Sequence, residues 1–540
     1  VEVFDPRMAC HIQSIYHSET TMVTIVNRLC PLDLERFALT CKKVHGLVRK
    51  CRTEITTSKI ECYKDYTGIT KICLVGNRYG YSNFEAPLPP NLTKIFAHFH
   101  EFVAGAIPKS IVEMDVATLA EFDFPYLEKL SVTSGKFDVQ NVKSMPSLRE
   151  LSADTLIFTP ENLASSTLTH LRMFSTPAWI EHHEFAKLMP RTLVELKVYF
   201  TRLDDAKGWR MKDLPVGLVK LWMSVYGYVI DDGDYFNPGL KELVLRSSIV
   251  SKGKMTDISK FPRGLKYLSL SLDKNEDGAL SKSINSGEEF AKLPPNLETL
   301  ILDLPHFSNA ILKKIPKSVT NLDYCGFHGV GETLDPACLP PNLEIFSFSG
   351  SQPGAKINAK SLHLLPKSLV ELNGITILSI KKSASLEHLV NLKYLRYHVI
   401  VFGDVLLPSG VKWMHTNYLP RVMPPRLKRL VLEAKLSSEQ LVLLPKTIVS
   451  LNVESVTCDE GVKFPPNIRM VLCDKRSSVH PSSLPLTLQE HNGWFPIDAD
   501  GNIYRRVTTI DNTEWIQTGA NMSESDDEYN PYESSDEEDD

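Results

Sequence analysis

Apolar residues recur along most of this chain in one spacing. The segment Leu293-Pro294-Pro295-Asn296-Leu297-Glu298-Thr299-Leu300-Ile301-Leu302 shows it in full. Leu88-Pro89-Pro90-Asn91-Leu92, Leu339-Pro340-Pro341-Asn342-Leu343, Leu365-Pro366-Lys367-Ser368-Leu369 and Leu444-Pro445-Lys446-Thr447-Ile448 repeat its opening. Counting from the apolar residue after the turn, the first, fourth and sixth positions are apolar and the third, fifth and seventh vary. Side chains of a strand alternate between its faces, so the third, fifth and seventh point out when the fourth and sixth point inward; the apolar first position, next to the turn, is placed inward with them. Glu288–Leu293, Asn309–Ile315 and Ser438–Leu444 place a helical pattern before the proline, and proline disfavours helical geometry in the residue preceding it. Each unit is therefore predicted to run helix or irregular segment, proline turn, strand, loop.

First positions fall at Leu92, Ile111, Leu127, Leu148, Leu168, Leu193, Leu218, Leu240, Leu265, Leu297, Val319, Leu343, Leu369, Leu392, Val411, Leu427, Ile448, Ile468 and Leu488. These nineteen units span 396 residues with a mean spacing of 22, and individual spacings run from 16 to 32. Self-similarity at that period predicts a stacked array, because one unit cannot bury its own apolar face. The predicted class is α/β: a leucine-rich-repeat solenoid with a parallel strand ladder of about 19 units over residues 88–490. The third positions of the first eight units are Lys94, Glu113, Lys129, Glu150, His170, Glu195, Lys220 and Glu242, an alternation of charge that a one-residue slip would destroy.

Composition changes this picture little. The chain has 540 residues, 43% hydrophobic and 23% charged, with a net charge of −5. Residues 521–540 hold ten of the 65 acidic residues and no Lys or Arg, so the other 55 face all 60 Lys and Arg, a net of +5. Without a basic block, nucleic acid is a disfavoured partner. No apolar run approaches the roughly 20 residues that span a bilayer, and no secretory signal is visible, so no membrane partner is expected and the expected location is cytoplasmic or nuclear. None of the ten cysteines forms a CxxC pair and His182-His183-Glu184 reads as a solvated helix start, so neither metal nor cofactor is expected. Walker, HExxH and GxSxG motifs are absent, so the protein is expected not to be an enzyme.

Residues 10–52 precede the array and read as a small helical module, with 53–87 as a linker or N-terminal cap. Ile25/Leu29 and Leu34/Phe37/Leu47/Val48 suit amphipathic helices, and Pro31 with Asp33 marks a turn and helix start. The spacing of Ile25, Leu29, Asp33, Leu34, Cys41, Lys42 and Val44 resembles the F-box; it departs from that pattern at His17-Ser18, where the family carries Leu-Pro, and at Val44, where it carries Trp. The resemblance implies a substrate-recognition subunit of an SCF-type cullin–RING ubiquitin ligase. Ile25, Leu29, Pro31, Leu32, Leu34, Leu39 and Val44 would contact a Skp-type adaptor, and through it a cullin. The competing reading is an interaction scaffold whose N-terminal helices only cap the stack. The array itself resembles FNIP-like Leu-Pro-x-x-Leu repeats but lacks the regular Asn with which leucine-rich repeats build an asparagine ladder, so its loop carbonyls must be satisfied in some other way.

Two groups of outward positions combine aromatic and basic residues, the types enriched at binding hot spots. The first is Arg172, Phe174, Lys197, Tyr199, Trp222 and Arg246; the second is Tyr394, Arg396, His398, Trp413, His415 and Arg429. Their chemistry fits a protein substrate presenting an acidic or phosphorylated segment. After the array, residues 491–520 are aromatic enough to form a C-terminal cap. The acidic run 521–540 is too poor in apolar residues to fold, and Ser523, Ser525, Ser534 and Ser535 each precede an acidic residue by three places.

Overall fold

A tight turn, most often at proline, starts most rungs. In the computed structural model the N–H of nearly every first-position residue donates back to the carbonyl three residues earlier: Leu92 to Pro89 at 3.2 Å, Leu297 to Pro294 at 3.3 Å, Ile448 to Pro445 at 3.1 Å. The next two N–H groups both donate to the second-position carbonyl of the preceding rung. Val112 and Glu113 share Thr93 O at 2.7 and 3.0 Å, and Lys412 and Trp413 share Lys393 O at 2.8 and 3.1 Å. Strand pairing therefore begins at the third position, two residues later than predicted, because the first N–H is already used by the turn.

The structure describes residues 54–57, 69–74, 82–84, 88–102, 105–119, 123–157, 163–175, 186, 189–199, 210–224, 235–246, 250–251, 254–255, 257–271, 287–304, 308–326, 333–349, 354–378, 384–399, 404–473, 478–479, 483–485, 488, 490–491, 503–508 and 513–519. The helical module 10–52, with all seven predicted adaptor contacts, lies outside the described residues, as does the acidic run 521–540.

The chain divides into two compact units, one comprising residues 1–284 and 289–303 and the other 285–288 and 304–540. The rungs of the first are β1 (Glu54–Thr57), β2 (Lys71–Leu74), β3 (Lys94–Phe102), β4 (Glu113–Leu119), β5 (Lys129–Asp138), β6 (Glu150–Ile157), β7 (His170–Ser175), β8 (Glu195–Tyr199), β9 (Lys220–Ser224), β10 (Glu242–Arg246), β11 (Tyr267–Ser271) and β12 (Thr299–Leu304). Those of the second are β13 (Asn321–Gly326), β14 (Ile345–Phe348), β15 (Glu371–Leu378), β16 (Tyr394–Val399), β17 (Trp413–Thr416), β18 (Arg429–Leu436), β19 (Ser450–Cys458), β20 (Met470–Cys473) and β21 (Glu490–His491). Within each unit successive rungs pair in parallel, third position against third position: Lys94–Glu113–Lys129–Glu150–His170–Glu195–Lys220–Glu242 in the first, Tyr394–Trp413–Arg429–Ser450 in the second. Every predicted first position precedes a rung. The ladder also starts earlier than residue 88: β1 and β2 occupy the stretch read as linker or cap, with Glu54 opposite Lys71 and Lys71 opposite Lys94.

The core is the stack of first, fourth and sixth positions. Leu297, Leu300 and Leu302 are 0% exposed. The same holds for Leu92, Ile95 and Ala97. On the outer face the predicted charge ladder forms: Lys94 meets Glu113 at 2.6 Å, Lys129 meets Glu150 at 2.8 Å, and Lys220 meets Glu242 at 2.8 Å. The Glu150 carboxylate raises the Lys129 ammonium above its ordinary pKa, and Glu242 does the same for Lys220. These pairs are open to water, so each contributes about 0.2–1 kcal/mol and serves register more than stability.

The missing asparagine ladder has a substitute. The residue before the first position is small and polar in most units, and its side chain reaches back to the turn of the preceding rung. Ser110 Oγ donates to Leu92 O at 2.8 Å, Thr192 Oγ1 to Leu168 O at 2.6 Å, Ser368 Oγ to Leu343 O at 2.7 Å, and Thr447 Oγ1 to Leu427 O at 2.7 Å. Asn467 Nδ2 does the equivalent to Lys446 O at 2.8 Å. Carbonyls that the turn leaves without a ladder partner are satisfied rung by rung.

The helical patterns become single turns. Glu288–Lys292 is a 3-10 turn, while Asn309–Leu312 and Ser438–Val442 are α-helices of 4 and 5 residues. A unit of about 22 residues leaves room for one turn between loop and proline, and one turn suffices to bury Phe290, Ile311 or Leu441. Asp257, Ser308, Asp335 and Ser437 cap such turns by accepting from the backbone N–H two or three residues on. In place of a further parallel rung, Ile503–Thr508 and Thr513–Gly519 form an antiparallel hairpin. Among the described residues no helix is long and apolar enough to cross a membrane.

Candidate functional site

Third, fifth and seventh positions of successive rungs make one outward face in each unit. In the first unit this face holds a shallow cavity of about 300 Å³ across β3–β8, lined among others by Phe96, Glu113, Asp115, Lys129, Glu150, His170, Arg172, Glu195 and Lys197. The first predicted group lies along and beyond its edge. Arg172 is opposite Lys197 and Lys197 opposite Trp222, while Tyr199 and Arg246 both flank Ser224. Lys197 Nζ sits 4.4 Å from the centre of the Trp222 ring and 2.8 Å from Glu195. The Trp222 indole N–H is buried and has no hydrogen-bond partner among the described residues. Burial raises the Asp154 carboxyl, and the nearby Arg172 guanidinium works against that rise. Phe174 belongs to β7, but its side chain is outside the described residues. The group thus assembles on adjacent strands, yet it is not the basic patch its residue types suggested. Lys197 is committed to Glu195 and the indole, and the cavity wall carries Glu113, Asp115, Glu150 and Glu195 as well as three cationic residues.

The second group, on β16–β18, keeps its positive charge. Tyr394, Trp413 and Arg429 are opposite one another at the third position, and Arg396 is opposite His415 at the fifth. Tyr394 is 45% exposed. Three cations that the residue pattern did not single out join them: Lys393, Lys412 and Lys428 occupy the second position of the same three rungs and are all exposed. Among the described residues none of Lys393, Lys412, Lys428, Arg396 or Arg429 has a carboxylate within ion-pair distance. Listing the second position of each unit beside the third would have revealed this row.

Deeper on the same three strands, His398, His415 and Glu433 converge. His415 Nε2 is 2.6 Å from Glu433 Oε1, and His398 Nε2 is 3.5 Å from Glu433 Oε2. Both imidazole side chains are nearly enclosed, at 12% and 14% exposure, whereas Glu433 is 40% exposed. Burial chiefly, helped by the Arg396 charge, lowers the pKa of both rings, with Glu433 opposing the shift. Trp413 packs edge-on to His415 with ring centres 6.0 Å apart. Glu433 was not among the predicted residues. It is a seventh position, and its meeting with a fifth position one rung away and a seventh position two rungs away depends on side-chain reach.

No family model and no curated protein matches this chain. Among solved structures it is similar to CroV588, described as a novel circular leucine-rich-repeat protein, at 14% identity and a TM-score of 0.39, covering 85% of this chain and 74% of that one. It is also similar to YopM from Yersinia enterocolitica WA-314, at 16% identity and a TM-score of 0.31, covering 78% of this chain and 90% of that one. The chain is a solenoid of stacked parallel rungs with the period of leucine-rich repeats. That statement rests on the ladder, its period and its buried leucines; similarities at these TM-scores say nothing of what it binds.

Proposed function

We propose that this protein is a non-catalytic recognition scaffold that holds an acidic or phosphorylated protein segment across β16–β18. The observation that carries the reading is the repetition of Lys393/Tyr394, Lys412/Trp413 and Lys428/Arg429 at the same two positions of three consecutive rungs, with no acidic partner for any of the cations among the described residues. Rungs about 4.8 Å apart present these charges as a continuous row, along which an extended peptide can lie. Aromatic flanks supply contact area at small entropic cost.

A fluorescent peptide of residues 521–540, with and without phosphate on Ser534 and Ser535, is a suitable acidic probe. Binding to the chain carrying Lys393→Glu, Lys412→Glu and Lys428→Glu should weaken at least about tenfold at low salt, and wild-type binding should fall steeply as salt rises. Equal affinity of wild type and triple variant removes this reading.

The F-box resemblance of residues 10–52 supports a finer assignment, in which a Skp-type adaptor links the scaffold to a cullin–RING ligase and the array presents the substrate. Co-purification of the adaptor, and its loss with Leu29→Asp plus Leu34→Asp, is the test. A folded chain that never retains an adaptor leaves the plain scaffold.

A further inference from the structure

We infer that His398, His415 and Glu433 form a binding site for a divalent transition-metal ion, Zn²⁺ being the best fit. Two imidazole nitrogens and a carboxylate are the donor set that zinc takes when three ligands come from protein and a fourth position stays open. Their ligand atoms all lie within 4.8 Å of one another. Donors around a tetrahedral zinc are about 3.3 Å apart, given bonds near 2.0–2.1 Å. The His398–Glu433 separation of 3.5 Å already matches, and the 2.6 Å contact of His415 with Glu433 needs only a small rotation of an exposed carboxylate.

The backbone builds this arrangement. His398 and Glu433 are seventh positions two rungs apart, and His415 is a fifth position on the rung between. The seventh position of that middle rung, Asn417, would otherwise fill the gap. It is turned away instead: Asn417 Oδ1 accepts from Val399 N at 2.9 Å and its Nδ2 donates to Val399 O at 3.2 Å. The His415 ring lies edge-on to His398, with ring centres 6.1 Å apart, and reaches Glu433 at 2.6 Å.

A second observation is independent of the spacing. His398 Nε2 is buried and makes no hydrogen bond among the described residues; its Glu433 contact, at 3.5 Å, is an ion-pair distance only. A buried polar atom without a partner is costly, and a bound ion is one of the few things that accounts for it. Arg396 opposes added positive charge here, so an anionic group, such as a partner's carboxylate, is favoured at the open coordination position. The site needs no peptide on the neighbouring lysine row and stands or falls separately from that reading.

The full-length chain, stripped with chelator, should take up a single equivalent of Zn²⁺ and give, with Co²⁺, the intense visible absorption of a low-coordinate site that Zn²⁺ then bleaches. His398→Ala and His415→Ala should each weaken binding by at least about 100-fold, more than loss of a supporting group costs. His363→Ala, which alters an exposed histidine bonded to Lys360 O, should leave it unchanged. Glu433→Gln changes an exposed side chain and gives a variant with little risk to folding; it should also weaken binding. In the unaltered chain, Zn²⁺ should protect His398 and His415, and not His363, from carbethoxylation. Wild type that binds no more Zn²⁺ than the His398→Ala/His415→Ala double variant, or binding without selective protection of these two rings, overturns the assignment and leaves a His–Glu hydrogen-bonded cluster.

Discussion

Replacing Thr447 by Val tests the device that stands in for an asparagine ladder. Thr447 Oγ1 lies 2.7 Å from Leu427 O and 3.0 Å from Pro425 O, so one hydroxyl proton serves two turn carbonyls of the preceding rung. Valine keeps the shape and removes the proton. A hydrogen bond of this kind is worth about 1 kcal/mol net, and a carbonyl left without a partner costs about 1–3 kcal/mol where water is excluded. Thr447 is exposed, so water can reach the site and the lower part of that range applies, about 1–1.5 kcal/mol. The reporting amides are Val449 and Ser450, which hang on Lys428 O at 2.7 and 3.1 Å. Since 1.4 kcal/mol is a factor of ten, their hydrogen exchange should accelerate about five- to tenfold. Local exchange is the right assay because long arrays need not unfold in one step. Thr447→Ser retains the hydroxyl and should exchange nearly as wild type. Ser368→Ala, four rungs away at about 19 Å, should add independently. Exchange in Thr447→Val equal to wild type, or slower, would show that the hydroxyl row is incidental.

Other outcomes follow from the same ladder. Lys129→Glu would line up three carboxylates with Glu113 and Glu150, costing about 1 kcal/mol at low ionic strength and less in high salt; adding Glu150→Lys should recover part of the loss in urea unfolding. Gly374→Ala should be severely destabilising, because Gly374 has φ +72° at the irregularity in β15 and an added Cβ would collide with Phe348 O; a melting temperature near wild type would contradict the close approach. Burial lowers the His388 pKa, His363 and Lys367 add to the shift, and the Leu365 carbonyl partly offsets it. A ring with a folded pKa below its unfolded value of about 6.5 stabilises the fold above that pH, and the contribution is lost as pH falls through the folded value. His388→Gln should therefore show a smaller drop in melting temperature than wild type between about pH 6.5 and 5, and an unchanged drop refutes the assignment.

Much of this protein was determined by its residue pattern alone. Period, rung positions, register and buried leucines follow from the spacing of Leu and Pro, because a strand with one wet face must alternate and a proline turn must close three residues back. Even the hydroxyl row is present in the sequence, as Ser110, Thr192, Ser368 and Thr447 directly before a first position, although only the hydrogen bonds show what it does. Tertiary structure decided what pattern cannot. It extended the ladder to β1 and β2, where no Leu-Pro turn marks the rung, and it reduced predicted helices to single turns. It also paired Lys197 with Glu195, which removed the basic character of the first group, and brought Glu433 to His398 and His415. Periodicity specifies the direction in which a side chain leaves the backbone, and the contacts at its far end are set by neighbours one and two rungs away.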